Sequence, residues 1–146
     1  MTLKKYLTQF TQQQLAEQIA ELAKTYPEVR LYFQYHQDPE NRALHDKMEK
    51  KLRDLCYPAR GRRPRFKRAA EVVTTYRKLC PPPEDMAAML YVRLERATQF
   101  SKDRYLAKTG TLLKSLQKCH KELKELIEKE GLGRQWAEKA EALEAK

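Results

Sequence analysis

Apolar residues in this chain recur at three- and four-residue spacing, and no stretch alternates apolar with polar over a useful length. Four glycines in 146 residues leave little for the tight turns of a sheet-rich fold. The predicted class is all-α.

Local signals divide the chain into helices. Thr2 to Thr8 reads as a short opening helix with Leu3, Tyr6 and Leu7 on one side. Thr11 followed by Gln14 is a capping-box pattern, and Leu15, Ile19, Leu22 and Tyr26 then share a helical stripe. Pro27 should end that helix near Thr25 and start the next. In this third segment Val29, Tyr32, Phe33 and His36 form the expected inner face, with Leu31 and Tyr35 as a second apolar flank. A helix apolar on two sides belongs at the centre of the packing.

Asp38-Pro39-Glu40 repeats the start signal, an acidic cap followed by a proline at the first helical position. Leu44, Met48, Leu52, Leu55 and Cys56 then run to Tyr57, and Pro58 stops the helix. Phe66, Ala69, Ala70, Val73, Tyr76 and Cys80 mark the fifth helix. Pro81-Pro82-Pro83 is a stiff connector before Glu84 and Asp85 open the sixth, with the stripe Met86, Met89, Leu90, Leu94, Ala97 and Phe100. Most of Ser101 to Thr111 reads as loop. Leu112 through Ile127 is the cleanest helical pattern, Gly131 and Leu132 suit a Schellman ending, and Trp136, Ala140 and Leu143 mark a final short helix.

The length predicts a single helical domain over residues 1–146. Short connections favour antiparallel neighbours, and no fixed-period repeat is present. The expected architecture is a single compact multi-helix bundle, with a solenoid-like arc of stacked helix pairs as its variant form.

One segment departs from the helical pattern, the basic loop at 57–68. Between Asp54 and Glu71 stand Arg60, Arg62, Arg63, Arg65, Lys67 and Arg68, without one acidic side chain. The chain has 30 lysines and arginines against 20 acids, so this segment holds six of its ten net positive charges. Such an excess favours acidic partners: RNA, DNA, an anionic surface or an acidic protein. Tyr57 and Phe66 at the loop edges are placed to stack on bases while the six cations neutralise phosphates. The bland alternative is a solubilising loop, or arginines that fold back onto acidic helix faces. Three prolines in the Lys78–Glu84 connector argue against a helix-turn-helix.

The search for chemistry returns mainly absences. Gly61, Gly110, Gly131 and Gly133 build no phosphate cradle. None of His36, His45 and His120 follows a glutamate by three residues or another histidine by one turn, so no metal site is expected. A pairing of His36 with His45 across the Asp38-Pro39 turn stays open. The adjacent Cys119 and His120 point about 100° apart on a helix, a poor nucleophile–base geometry. The Glu-x-x-Glu runs at Glu122/Glu125/Glu128 and Glu138/Glu141/Glu144 interleave with lysines as solvated faces. No catalytic residue and no cofactor are predicted, and the chain is read as not an enzyme.

Cys56, Cys80 and Cys119 are odd in number, and none shares a Cys-x-x-Cys motif. Each lies on or at the end of an apolar helix face, where a reduced thiol packs as a small hydrophobe. The N-terminus lacks a secretory apolar run, and the longest such run, Ala87 to Val92, cannot span a membrane. A soluble, cytoplasmic protein with no membrane partner is expected.

Two passages carry a resemblance. One is Leu3-Lys4-Lys5-Tyr6-Leu7 with Leu15 through Tyr26-Pro27-Glu28-Val29. The other is Leu55-Cys56-Tyr57-Pro58-Ala59-Arg60-Gly61, leading through Arg65 and Phe66 to Ala69-Ala70 and Leu79. Together they resemble a family of small bacterial all-helical proteins classed as a domain of unknown function. The resemblance implies a cytoplasmic helical protein and assigns no activity, cofactor or site.

Three readings follow. The first is a non-enzymatic module that binds nucleic acid through Arg60, Arg62, Arg63, Arg65, Lys67 and Arg68. The second is a protein-interaction scaffold, with a groove lined by Tyr32, Phe33, Tyr35 and His36 and a basic loop that steers an acidic partner. The third, an enzyme, needs a pocket where a histidine meets a carboxylate or thiolate.

Overall fold

The computed structural model describes residues 1–146 except 39, 41, 105, 107–109, 145 and 146. Eight helices and no strand occur among the described residues, an all-helical fold as the periodicity predicts. They gather into two compact units, Met1–Leu44 and His45–Lys146.

In the first unit, α1 (Leu3–Leu7), α2 (Gln12–Thr25) and α3 (Pro27–Gln37) are defined by their ends. The capping box forms as expected: Gln14 N–H donates to Thr11 Oγ1 at 3.2 Å, and Thr11 N–H donates to Gln14 Oε1 at 2.9 Å. Tyr26 is extended (φ −113°, ψ 112°) and caps both α2 and α3, the conformation that Pro27 imposes on its predecessor. Neither α1 nor α2 has a buried residue, and α2 and α3 pack on each other.

The expected inner face of α3 is corrected. Tyr35 is the residue fully buried, Val29, Leu31 and Phe33 are half-buried, and Tyr32 and His36 are exposed. Tyr32 and His36 lie one turn apart with ring centroids 4.4 Å apart, so each ring covers part of the other without needing a partner helix. The helix start expected at Asp38-Pro39-Glu40 is corrected as well: the next helix begins at Ala43, and Asp38 ends α3. Its carboxylate accepts from the N–H groups of Arg42 and Ala43, both at 2.9 Å, and of Glu40 at 3.2 Å. Those bonds, Ala43 first, hold the Asp38 carboxyl below its ordinary pKa. The predicted proline start at Pro39 lies outside the described residues.

The second unit holds nearly all of α4 (Ala43–Cys56), then α5 (Phe66–Lys78), α6 (Pro83–Asp103), α7 (Gly110–Glu130) and α8 (Arg134–Glu144). The central helix of this unit is α6. It buries Met86, Ala87, Met89, Leu90, Val92, Leu94, Ala97 and Phe100, residues on every side of its axis, and α5, α7 and α8 all pack against it. Pro83 starts it, and Glu84 and Asp85 sit in the first turn where the helix dipole favours acids. At the far end of α7, Gly131 takes φ 59° and Leu132 N–H reaches Ile127 O at 3.1 Å, the Schellman ending expected from sequence.

The three thiols are free, and they differ. Cys56 and Cys119 are buried, and burial pushes their pKa up to about 12 and about 11. Cys80 is exposed, against expectation. It lies beyond the end of α5 with φ 54°, because the chain must leave the helix before Pro81 and so turns this side chain out of the core.

Candidate functional site

The basic loop has a defined path. Pro58 stops α4 and is buried at its end. Arg62 N–H bonds to Ala59 O at 3.1 Å, closing a turn in which Gly61 supplies φ 88°, a value that strains an L-residue. The chain then runs back, and Arg65 N–H bonds to Leu55 O at 2.9 Å. That carbonyl is one of the four that α4 leaves unpaired at its C-terminus. One bond therefore both caps α4 and lays the arginine segment alongside it.

The result is a cleft of about 660 Å³. Lys47, Lys50, Lys51 and Asp54 line one wall, all on one face of α4 at helical spacing. Arg62, Arg63 and Arg65 line the other wall, with Leu55 and Pro58 between them. All six cations are exposed, and none has an ion-pair or side-chain hydrogen-bond partner among the described residues. The arginines do not fold back onto acidic helix faces.

Three of the predicted loop cations line this cleft and three do not. Arg60 is exposed within the turn, and Lys67 and Arg68 are exposed on the first turn of α5. Sequence reasoning missed Lys47, Lys50 and Lys51. Their spacing of three and four, opposite the buried Met48, Leu52 and Cys56, reads as an ordinary solvated face until the loop is folded against it.

The two aromatic edge residues stand elsewhere. Tyr57 meets Phe100 edge-on at 5.5 Å, and its hydroxyl donates to Asp103 Oδ2 at 2.7 Å. That bond, with a second from Gln99, holds the Asp103 carboxyl below its ordinary pKa. Arg96 and Arg104 lie 5.6 and 5.8 Å from the Tyr57 ring centroid. Phe66 meets the same Phe100 at 6.2 Å. Both rings are half-buried, and neither lines the cleft.

Charge around the cleft runs against local helix physics. Lys67 and Arg68 occupy the first turn of α5, which has no acid and no side-chain cap. Asp54 occupies the last turn of α4. Each places charge at the end of like sign, an arrangement that typically costs about 0.3–1 kcal/mol per group. Violations of local preference concentrate where function requires them.

The histidines and the remaining thiol are engaged in packing. His36 lies against Tyr32 and Tyr35. His45 is buried, its Nδ1 2.6 Å from Tyr76 Oη and its Nε2 4.0 Å from Glu49. With Asp46, His45 and Glu49 bring three potential metal-ligand atoms within 4.8 Å of one another, a set on one helix that the sequence search did not consider. Cys119 Sγ points to Leu90 O and His120 Nε2 donates to Ala140 O at 2.8 Å, so these neighbours serve separate contacts. The aromatic groove expected on α3 loses Tyr35 to burial.

Among the described residues, no helix is long and apolar enough to cross a membrane. Comparison with curated proteins and with solved structures finds no match. A family model does match residues 1–146, and the chain belongs to that family, a family of unknown function designated DUF6155.

Proposed function

We propose that this chain is a non-enzymatic helical module that holds nucleic acid, RNA or DNA, by its phosphates in the cleft between α4 and the basic loop. The carrying observation is six exposed cations, unpaired among the described residues, converging on one concavity, where each neutralised phosphate releases condensed counterions. Among the described residues no aromatic lines the cleft, so backbone contact dominates and base stacking contributes little. Arg60, Lys67 and Arg68 extend the positive field beyond it. The cytoplasm suits such a module, since free thiols persist in a reducing compartment.

Fluorescence anisotropy with labelled single-stranded and duplex oligonucleotides at several salt concentrations tests this reading. If six phosphates are neutralised, log K falls with log salt at a slope of about −5 on duplex and about −4 on single strands. Replacing Lys47, Lys50 and Lys51 by Gln removes about half of that slope, and so does replacing Arg62, Arg63 and Arg65. Absence of binding at low salt ends the nucleic-acid reading and leaves an acidic protein segment as the ligand to try in the same cleft.

A further inference from the structure

Among the described residues, Asp54 is the single carboxylate in a cleft lined by six cations. It is exposed, and although it lies three and four residues beyond Lys51 and Lys50, it pairs with neither. Lysine before acid along a helix is the weaker order for such pairs, and Asp54 also sits at the helix end where the dipole opposes a negative charge. A ligand made only of phosphate would gain from the cations and be repelled here. A ligand that suits the whole cleft therefore presents a hydrogen-bond donor between its phosphates.

In a ribonucleotide chain the 2′-hydroxyl is such a donor at every residue, and deoxyribose has none. Resting on the nucleic-acid reading above, we infer that the cleft selects single-stranded RNA over DNA, with Asp54 accepting a hydrogen bond from a ribose 2′-hydroxyl. The lysines and arginines supply affinity without discrimination, and Asp54 supplies the discrimination. Its charge acts twice, once by accepting from ribose and once by repelling a backbone that offers no donor.

The test compares oligouridine, oligodeoxyuridine and 2′-O-methyl-oligouridine of one length, which share a base and a charge. The wild-type chain should bind the RNA about tenfold more tightly than either analogue, the scale of one hydrogen bond to a charged acceptor. In Asp54→Ala the deoxy and 2′-O-methyl affinities should rise, and the ratio should fall to about one. Asp54→Asn keeps an acceptor oxygen and should hold part of the preference. Matching helical circular dichroism would show that the exposed substitutions leave the fold intact.

Equal binding of all three oligomers by the wild type overturns the inference while leaving the nucleic-acid reading standing. So does an RNA preference that survives Asp54→Ala. No binding of any oligomer at low salt sinks the nucleic-acid reading itself, and the inference with it.

Discussion

The two units reach helical structure by different means. In His45–Lys146, α6 is enclosed by other helices and buries side chains around its whole circumference. In Met1–Leu44, α1 and α2 bury no side chain, and Ile19 and Leu22 on α2 and Tyr26 at its cap remain exposed. What defines α2 is its ends: a reciprocal capping box at Thr11 and Gln14, and a stop enforced by Pro27. Burial fixes the one unit and local hydrogen bonding fixes the ends of the other. Helices of this length are marginal on local terms alone. The first unit should therefore open more readily than the second.

The sharpest way to break that comparison is to truncate equivalent apolar residues in each. Leu123 on α7 is 0% exposed and Ile19 on α2 is 41% exposed. Leu123→Ala should lower unfolding stability by about 3 kcal/mol, whereas Ile19→Ala should cost less than about 1 kcal/mol. Urea denaturation followed by circular dichroism measures both, and similar losses would erase the distinction.

A smaller effect is expected at the cap. Thr11→Ala removes one side-chain bond and typically costs about 1 kcal/mol. Amide exchange should then quicken about fivefold in α2 and remain unchanged in α6. Uniform acceleration would mean that the two units open together.

Thiol labelling sharpens the same contrast within the larger unit. On the native protein near neutral pH, Cys80 should react readily, while Cys56 and Cys119 should react only through opening. The pKa of each buried thiol is raised from 9.0, to about 12 and about 11. Their contribution to stability is therefore complete below about pH 9 and is lost as pH rises toward those values. Unfolding at successive alkaline pH values should show stability declining across that window. A flat profile would contradict the burial of these two groups.

The features legible in the sequence are those decided within a few residues. The capping box, the proline boundary at Pro27 and the Schellman glycine all rest on neighbours along the chain. The choice between two apolar flanks on α3 does not. Periodicity allowed either face inward, and tertiary packing selected Tyr35. Placing α6 at the centre also needed to know how many helices lie against it.

The candidate site divides in the same way. The cation count between Asp54 and Glu71 was visible at once. That Arg62, Arg63 and Arg65 face Lys47, Lys50 and Lys51 depends on the chain reversing at Gly61 and closing through the Arg65–Leu55 bond. A run of basic residues records charge, and not which other charges it will meet. Tyr57 and Phe66 show the converse, since edge positions in the sequence became contacts with Phe100, a residue far along the chain.

The shared cap at Tyr26 has a consequence for how the chain tolerates changes in length. One residue ends α2 and begins α3, so this corner has no slack. An insertion within the turn at 57–65 can be absorbed by a longer bend, but one added helical residue beside Tyr26 must turn the next helix by about 100° and advance it by about 1.5 Å. The corner acts as a gear fixed by tooth count, which makes it a poor place for a tag, a linker or a gap.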